Sequence, residues 1–171
     1  MTEEKVKAMH LGDENAPVSV EAFINMACPY CVEFFKAADK VLIPLTDEGM
    51  VSYTIKHFDK PKVRLFHGAI ANLYLDYSNP AKAYNLMKEM FENQDEWAAA
   101  DSKFIQTKMM EEFGLEEQRS TMNLSMDIIH ETVERGIEVA PTVFINGEQF
   151  KYDLNGDAAS IEMELIHAVR E

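Results

Sequence analysis

Cysteine is scarce in this chain: Cys28 and Cys31 are its only two in 171 residues. That excludes a fold stapled by several disulfides, and the lack of any further cysteine for a structural bridge suits a reducing compartment. No apolar run approaches the length needed to cross a bilayer. Residues 1–7 lack the hydrophobic segment of a secretory signal, so the sequence as written is expected in the cytoplasm, or exported if a leader has been removed. Positive charge is short as well, with 16 Lys and Arg against 30 Asp and Glu and a formal net charge of -14. This disfavours nucleic-acid backbones and anionic membranes as partners and reads chiefly as solubility. Low-complexity tracts are missing. What is present is a chain 47% apolar, long enough for a one-domain core with room for an embedded subdomain.

The two cysteines stand in Met26-Ala27-Cys28-Pro29-Tyr30-Cys31. The apolar run 18–24 before them has the pattern of a buried strand, and 32–38 after them reads as a helix. A Cys-x-x-Cys between strand and helix points to thiol redox chemistry. The reason is electrostatic. A helix N-terminus carries unpaired N–H groups and a partial positive charge, so a thiolate there is stabilised over the thiol. Pro29 suits the first turn, where no N–H partner is required. Cys28 is expected at the helix tip with its sulfur exposed, and Cys31 one turn in on the same face. Cys28 then attacks a disulfide and Cys31 resolves the mixed disulfide.

Other readings compete. Two buried structural cysteines fit an intracellular chain but give no reason for a Cys-Pro-Tyr-Cys sequence at a helix start. A zinc site needs about four ligands; His10, His57, His67, His130 and His167 are scattered without finger spacing. An iron–sulfur cluster bridging two chains is less favoured still. No metal is expected.

Taken in order, 1–16 is a polar lead-in with a short strand near 6–10, and 12–17 is turn chemistry. The helix after Cys28 runs through about residue 40 toward Leu42, and Pro44 is expected to break or kink it. Residues 51–58 alternate apolar and polar as a second strand, which makes a βαβ unit with a right-handed crossover. Residues 62–135 carry no convincing strand. Val63, Phe66, Ile70, Leu73 and Tyr77 fall at helical spacing, and Asn79-Pro80 opens a helix through Phe91. Asp101 caps another, through Phe113, with Gly114 as its stop. A further helix spans 117–135, closed by Gly136, with Met122, Met126, Ile129 and Val133 on its inner face. Two strands then flank Asn146-Gly147, a hairpin signal. The last helix, 157–170, is capped by Asp157 or Ser160 and turns Ile161, Leu165, Ile166 and Val169 inward.

These parts together resemble the DsbA-like thiol–disulfide oxidoreductases: Asn15-Ala16-Pro17-Val18 before the first strand, Cys28-Pro29-Tyr30-Cys31, a helical block, and Val139-Ala140-Pro141-Thr142 before the hairpin. The resemblance covers nearly the whole chain. It implies an α/β thioredoxin-like fold, formed by 1–61 and 136–171, with an inserted all-helical subdomain at 62–135. It also implies that Pro141 is cis and lies against the cysteines, a bond that proline alone makes cheap. Ala140 would then offer its N–H and C=O to an extended substrate segment.

Two departures from that family stand out. Its members often carry a buried carboxylate six residues before the first cysteine, where this chain has Ala22; Glu21 beside it should point to the other side of the strand. The strongly oxidising members have a His where this chain has Tyr30, which gives the Cys28 thiolate no cationic partner and implies a weaker oxidant. Cys-Pro-Tyr-Cys also occurs in glutaredoxins and disulfide isomerases, so the direction of electron flow stays open. His57 is read as structural, and Trp97 as packing. Met109, Met110, Met122 and Met126 are read as helix core before any pliable peptide surface. Glu111, Glu112, Glu116 and Glu117 read as a solvated face.

The function expected is exchange of the Cys28–Cys31 dithiol or disulfide with protein substrates. Pro29 and Tyr30 tune the pair, and Ala140 and Pro141 dock the substrate. No cofactor is implied, but a separate redox partner is; the chain is expected as a monomer or weak dimer. The alternatives are a glutathione-dependent reductase or transferase and a non-catalytic peptide-binding adaptor.

Overall fold

The computed structural model describes residues 6–170; residues 1–5 of the expected lead-in lie outside that range. Five strands form one sheet in the order β1-β3-β2-β4-β5. Its centre is a parallel pair, β2 (Val18–Ile24) and β3 (Val51–His57), in register from Val18↔Val51 to Ile24↔His57. The intervening α1 (Pro29–Asp47) provides the crossover. β1 (Met9–Leu11) adds antiparallel to β3, later and shorter than the strand expected near 6–10. β4 (Thr142–Ile145) runs antiparallel to β2 and forms a hairpin with β5 (Glu148–Gln149). Asn146 and Gly147 both have positive φ, as a tight two-residue turn demands.

Between β3 and β4 the chain is helical. A short 3-10 turn (Val63–Leu65) leads into α2 (Phe66–Asn72), followed by α3 (Pro80–Glu92), α4 (Gln94–Trp97), α5 (Ser102–Thr107), a π turn (Lys108–Glu112) and α6 (Arg119–Arg135). The caps are the expected ones. The Asn79 and Asp101 side chains accept the Lys82 and Phe104 N–H groups at the starts of α3 and α5, and Gly136 ends α6 at φ 67°. The final α7 (Ala158–Arg170) packs on α1, and Asp157 accepts the Ser160 N–H. One continuous apolar core joins sheet and helices, from Phe23 and Phe34 to Met87, Trp97 and Met109. Each large side chain buried there stabilises the fold by about 1.5–3 kcal/mol.

Several expectations fail. Pro44 does not end α1, which continues to Asp47. The proline faces solvent, so the carbonyl it leaves unpaired one turn back can be hydrated, while Val41, Leu42 and Thr46 anchor the other face. Val63 and Phe66 point outward, at 93% and 56% exposure. On α6 the inner face is Thr121, Leu124, Ser125, Ile128 and Thr132, whereas Met122, Met126 and Val133 are exposed. Met110 is also exposed, and of the methionines weighed only Met109 is core. Ile166 on α7 is exposed as well. The helix expected through Phe113 changes to a π turn at Lys108, and Gly114 follows with φ 64°.

Candidate active site

The link from β2 to α1 (residues 25–28) is held by side chains from three directions. Asn25 sits at the end of β2 and is fully buried. Its Oδ1 accepts the Ala27 N–H at 2.9 Å, and its Nδ2 donates to the carbonyls of Phe58 and Leu65 at 3.0 and 3.4 Å. His57, at the end of β3, accepts the Met26 N–H on Nε2 at 2.9 Å. The proton must therefore sit on Nδ1, which donates to Asp59 Oδ1 at 2.8 Å. From α4, Gln94 Nε2 donates to the Met26 and Cys28 carbonyls at 2.8 and 3.0 Å. Asp59 in turn accepts from Asn72 Nδ2 at 2.9 Å and from the Ser125 hydroxyl, and the Tyr77 hydroxyl donates to Asn72. A buried polar network is stable only when every member is satisfied, and this one carries the active-site link on β3, α2, α4 and α6. His57 has the structural role expected of it. Asp59 and Gln94 were not singled out in the sequence, because nothing in a lone carboxylate or amide announces burial. Trp97 packs as expected, its indole N–H donating to the Met90 carbonyl at 2.8 Å.

Cys28 is the N-cap of α1, Pro29 is the first helical residue, and the Cys31 N–H donates to the Cys28 carbonyl at 3.1 Å. The Ala140–Pro141 peptide is cis. It brings the Ala140 carbonyl oxygen to 3.5 Å from Cys28 Sγ. Cys28 is therefore covered, and the exposed Cys28 expected from sequence is corrected: it is 5% exposed, and Cys31 is fully buried. The Ala140 segment is the cover. Cys28 nevertheless opens onto a cleft of about 240 Å³, shared with Tyr30, Ala140 and the cations Lys60, Lys62 and Arg64.

The environment separates the two thiols. The Cys31 thiol, donating to Cys28, is the main cause that lowers the Cys28 pKa to about 7; the Cys31 and Tyr30 backbone N–H groups and the Arg64 charge add to it, against burial. Burial raises Cys31 well above the ordinary thiol value, and its neighbour Cys28 raises it further. Arg64, in the 3-10 turn after β3, gives the Cys28 thiolate a cationic neighbour that position 30 does not supply. Lys60, Lys62 and Arg64 were not singled out in the sequence.

Glu21 does face away from the cysteines, pairing with Lys56 at 2.6 Å and Arg135 at 2.8 Å. Ala22 is buried. The buried hydroxyls of Tyr53 and Tyr152 have no protein hydrogen-bond partner among the described residues. Burial, with the charges of Cys31 and Cys28 adding to it, holds the Tyr152 phenol above its usual range. Among the described residues no group of three or more His, Cys, Asp or Glu is placed to hold a metal ion, and no helix is long and apolar enough to cross a membrane.

The family profile described as thioredoxin matches residues 4–162. Among curated proteins none matches. Of solved structures, a conserved protein of unknown function from Enterococcus faecalis V583 is 33% identical, with a TM-score of 0.85 over 96% of this chain and 90% of that one. Oxidised BdbD from Bacillus subtilis is 15% identical, with a TM-score of 0.63 over 98% and 97%. The alpha-DsbA1 of Wolbachia pipientis is 18% identical, with a TM-score of 0.67 over 96% and 92%. The chain belongs to the thioredoxin family, and its fold is that of the DsbA-type disulfide oxidoreductases.

Proposed function

We propose that this protein is a thiol–disulfide oxidoreductase acting on protein substrates, with Cys28 as nucleophile and Cys31 as resolving thiol. The asymmetry of the two sulfurs carries this reading. Cys28 has a pKa near 7 and borders a cleft, while Cys31 is sealed and protonated. In the reducing direction the Cys28 thiolate attacks a substrate disulfide, forming a mixed disulfide and expelling one substrate thiolate. Cys31 loses its proton and attacks Cys28 Sγ, expelling the second. Two electrons pass to the substrate, and the Cys28–Cys31 disulfide that remains is reduced by a separate dithiol partner; oxidation of a substrate dithiol is the reverse. Ala140, beside Cys28, offers its backbone to an extended substrate segment in the manner of an added strand.

The test is insulin reduction with a dithiol donor, run on the wild type and two variants. Cys28→Ser should abolish turnover, and Cys31→Ser should stop at an isolable mixed disulfide. Full turnover by Cys28→Ser, or tight peptide binding without turnover by the wild type, would overturn the assignment. Equilibration against a glutathione buffer then gives the potential, and with it the direction of electron flow.

A further inference from the structure

The chain carries a formal charge of -14, yet among the described residues the cleft beside its reactive sulfur is lined by Lys60, Lys62 and Arg64 and by no carboxylate. These three cations lie within five residues of sequence, Lys60 and Lys62 on the connection after β3 and Arg64 inside the 3-10 turn. Lys60 is tied to the cleft's opposite wall, donating to the Glu138 carbonyl just before the Ala140 segment. Lys62 and Arg64 are exposed, and neither forms an ion pair with a described residue. Other cations of the chain are held by partners: Lys56, Lys88, Lys108 and Arg135 each pair with a carboxylate. The rest of the lining is apolar, with Leu65, Val139 and Leu154 beside the thiol.

We infer that the preferred substrates are peptide segments whose reactive cysteine has acidic residues within one or two positions, seated against Lys62 and Arg64 with their apolar side chains on Val139 and Leu154. This inference rests on the oxidoreductase reading and specifies its substrate class. Charge complementarity selects the occupant. At longer range the acidic surface repels an acidic chain, with screening over about 8 Å at physiological salt. The cations therefore act only on charges delivered next to the sulfur, and preference depends on where the acidic residues sit, not on their number.

The experiment uses the full chain and two peptide disulfides of identical composition, one with two aspartates flanking the cysteine and one with both at the far end. Mixed-disulfide formation with the Cys31→Ser protein is followed by stopped flow. The flanked peptide should react about five- to tenfold faster, as expected for one or two partly exposed charge contacts. Lys62→Gln with Arg64→Gln should bring the ratio of the two rates close to one. Equal rates with the unsubstituted cleft would overturn this inference and leave the oxidoreductase reading standing. Reaction with neither peptide, nor with insulin, overturns both. Reaction with oxidised glutathione alone overturns the peptide class in favour of a small anionic disulfide.

Discussion

A β-carbon placed on Gly68 in α2 would stand 1.9 Å from Asn25 Oδ1, closer than any real contact. The helix presses its backbone onto the residue that shapes the approach to Cys28, and only glycine permits it. In an exposed helix, Gly→Ala gains about 1 kcal/mol. Here the gain is outweighed, because Asn25 must move and its three hydrogen bonds are worth about 1 kcal/mol each. Gly68→Ala should therefore lower the denaturant midpoint and slow alkylation of Cys28. A midpoint equal to or above that of the wild type would show that Asn25 is free to shift.

The reactivity of Cys28 should follow pH with a midpoint near 7. Its pKa is depressed, so the thiolate is abundant above that value and is lost as pH falls through it. Iodoacetamide labelling of the reduced protein, limited to the fast phase, reads this directly. Cys31→Ala removes the largest cause and should move the midpoint up toward the ordinary thiol value; Arg64→Gln should move it up by less. An unchanged midpoint in Cys31→Ala would mean that the helix terminus alone sets the ionisation.

Much of this site was legible beforehand. The strand, the Cys pair and the helix behind it followed from a buried run, a turn proline and a 3.6-residue period, and the Asn-Gly hairpin from the need for positive φ. Those signals are local. The inner face of α6 was misjudged because Thr121, Ser125 and Thr132 are polar and buried. Thr121 donates to the Leu75 carbonyl and Ser125 to Asp59, so hydrogen bonds across tens of residues override the methionine stripe. Arg64, Asp59 and Gln94 reach the site only through tertiary packing, which no spacing records.

Asp59 gathers donors from His57, Asn72 and Ser125. Asp59→Ala strands all three in the interior, and the cost should be about 3 kcal/mol or more by chemical denaturation. Asp59→Asn keeps the shape and should cost less. If alanine is no worse than asparagine, the network is not closed in the way described.

The Tyr53 hydroxyl is buried without a protein partner among the described residues, so Tyr53→Phe gives up nothing that folding gained. The variant should be as stable as the wild type, or more stable by up to about 1 kcal/mol. A thermal midpoint several degrees lower would reveal a partner for that oxygen.

The groups that shape Cys28 are spread along the chain: His57, Gln94, Ser125 and Ala140 lie up to 112 residues from it. Contacts so distant form only after the segments between them have been made and collapsed. A nascent chain that has not yet presented Ala140 therefore carries Cys28 without the carbonyl that covers it in the folded protein. The walls around that sulfur are complete only once Val139, Ala140 and Leu154, all from the last third of the chain, have docked.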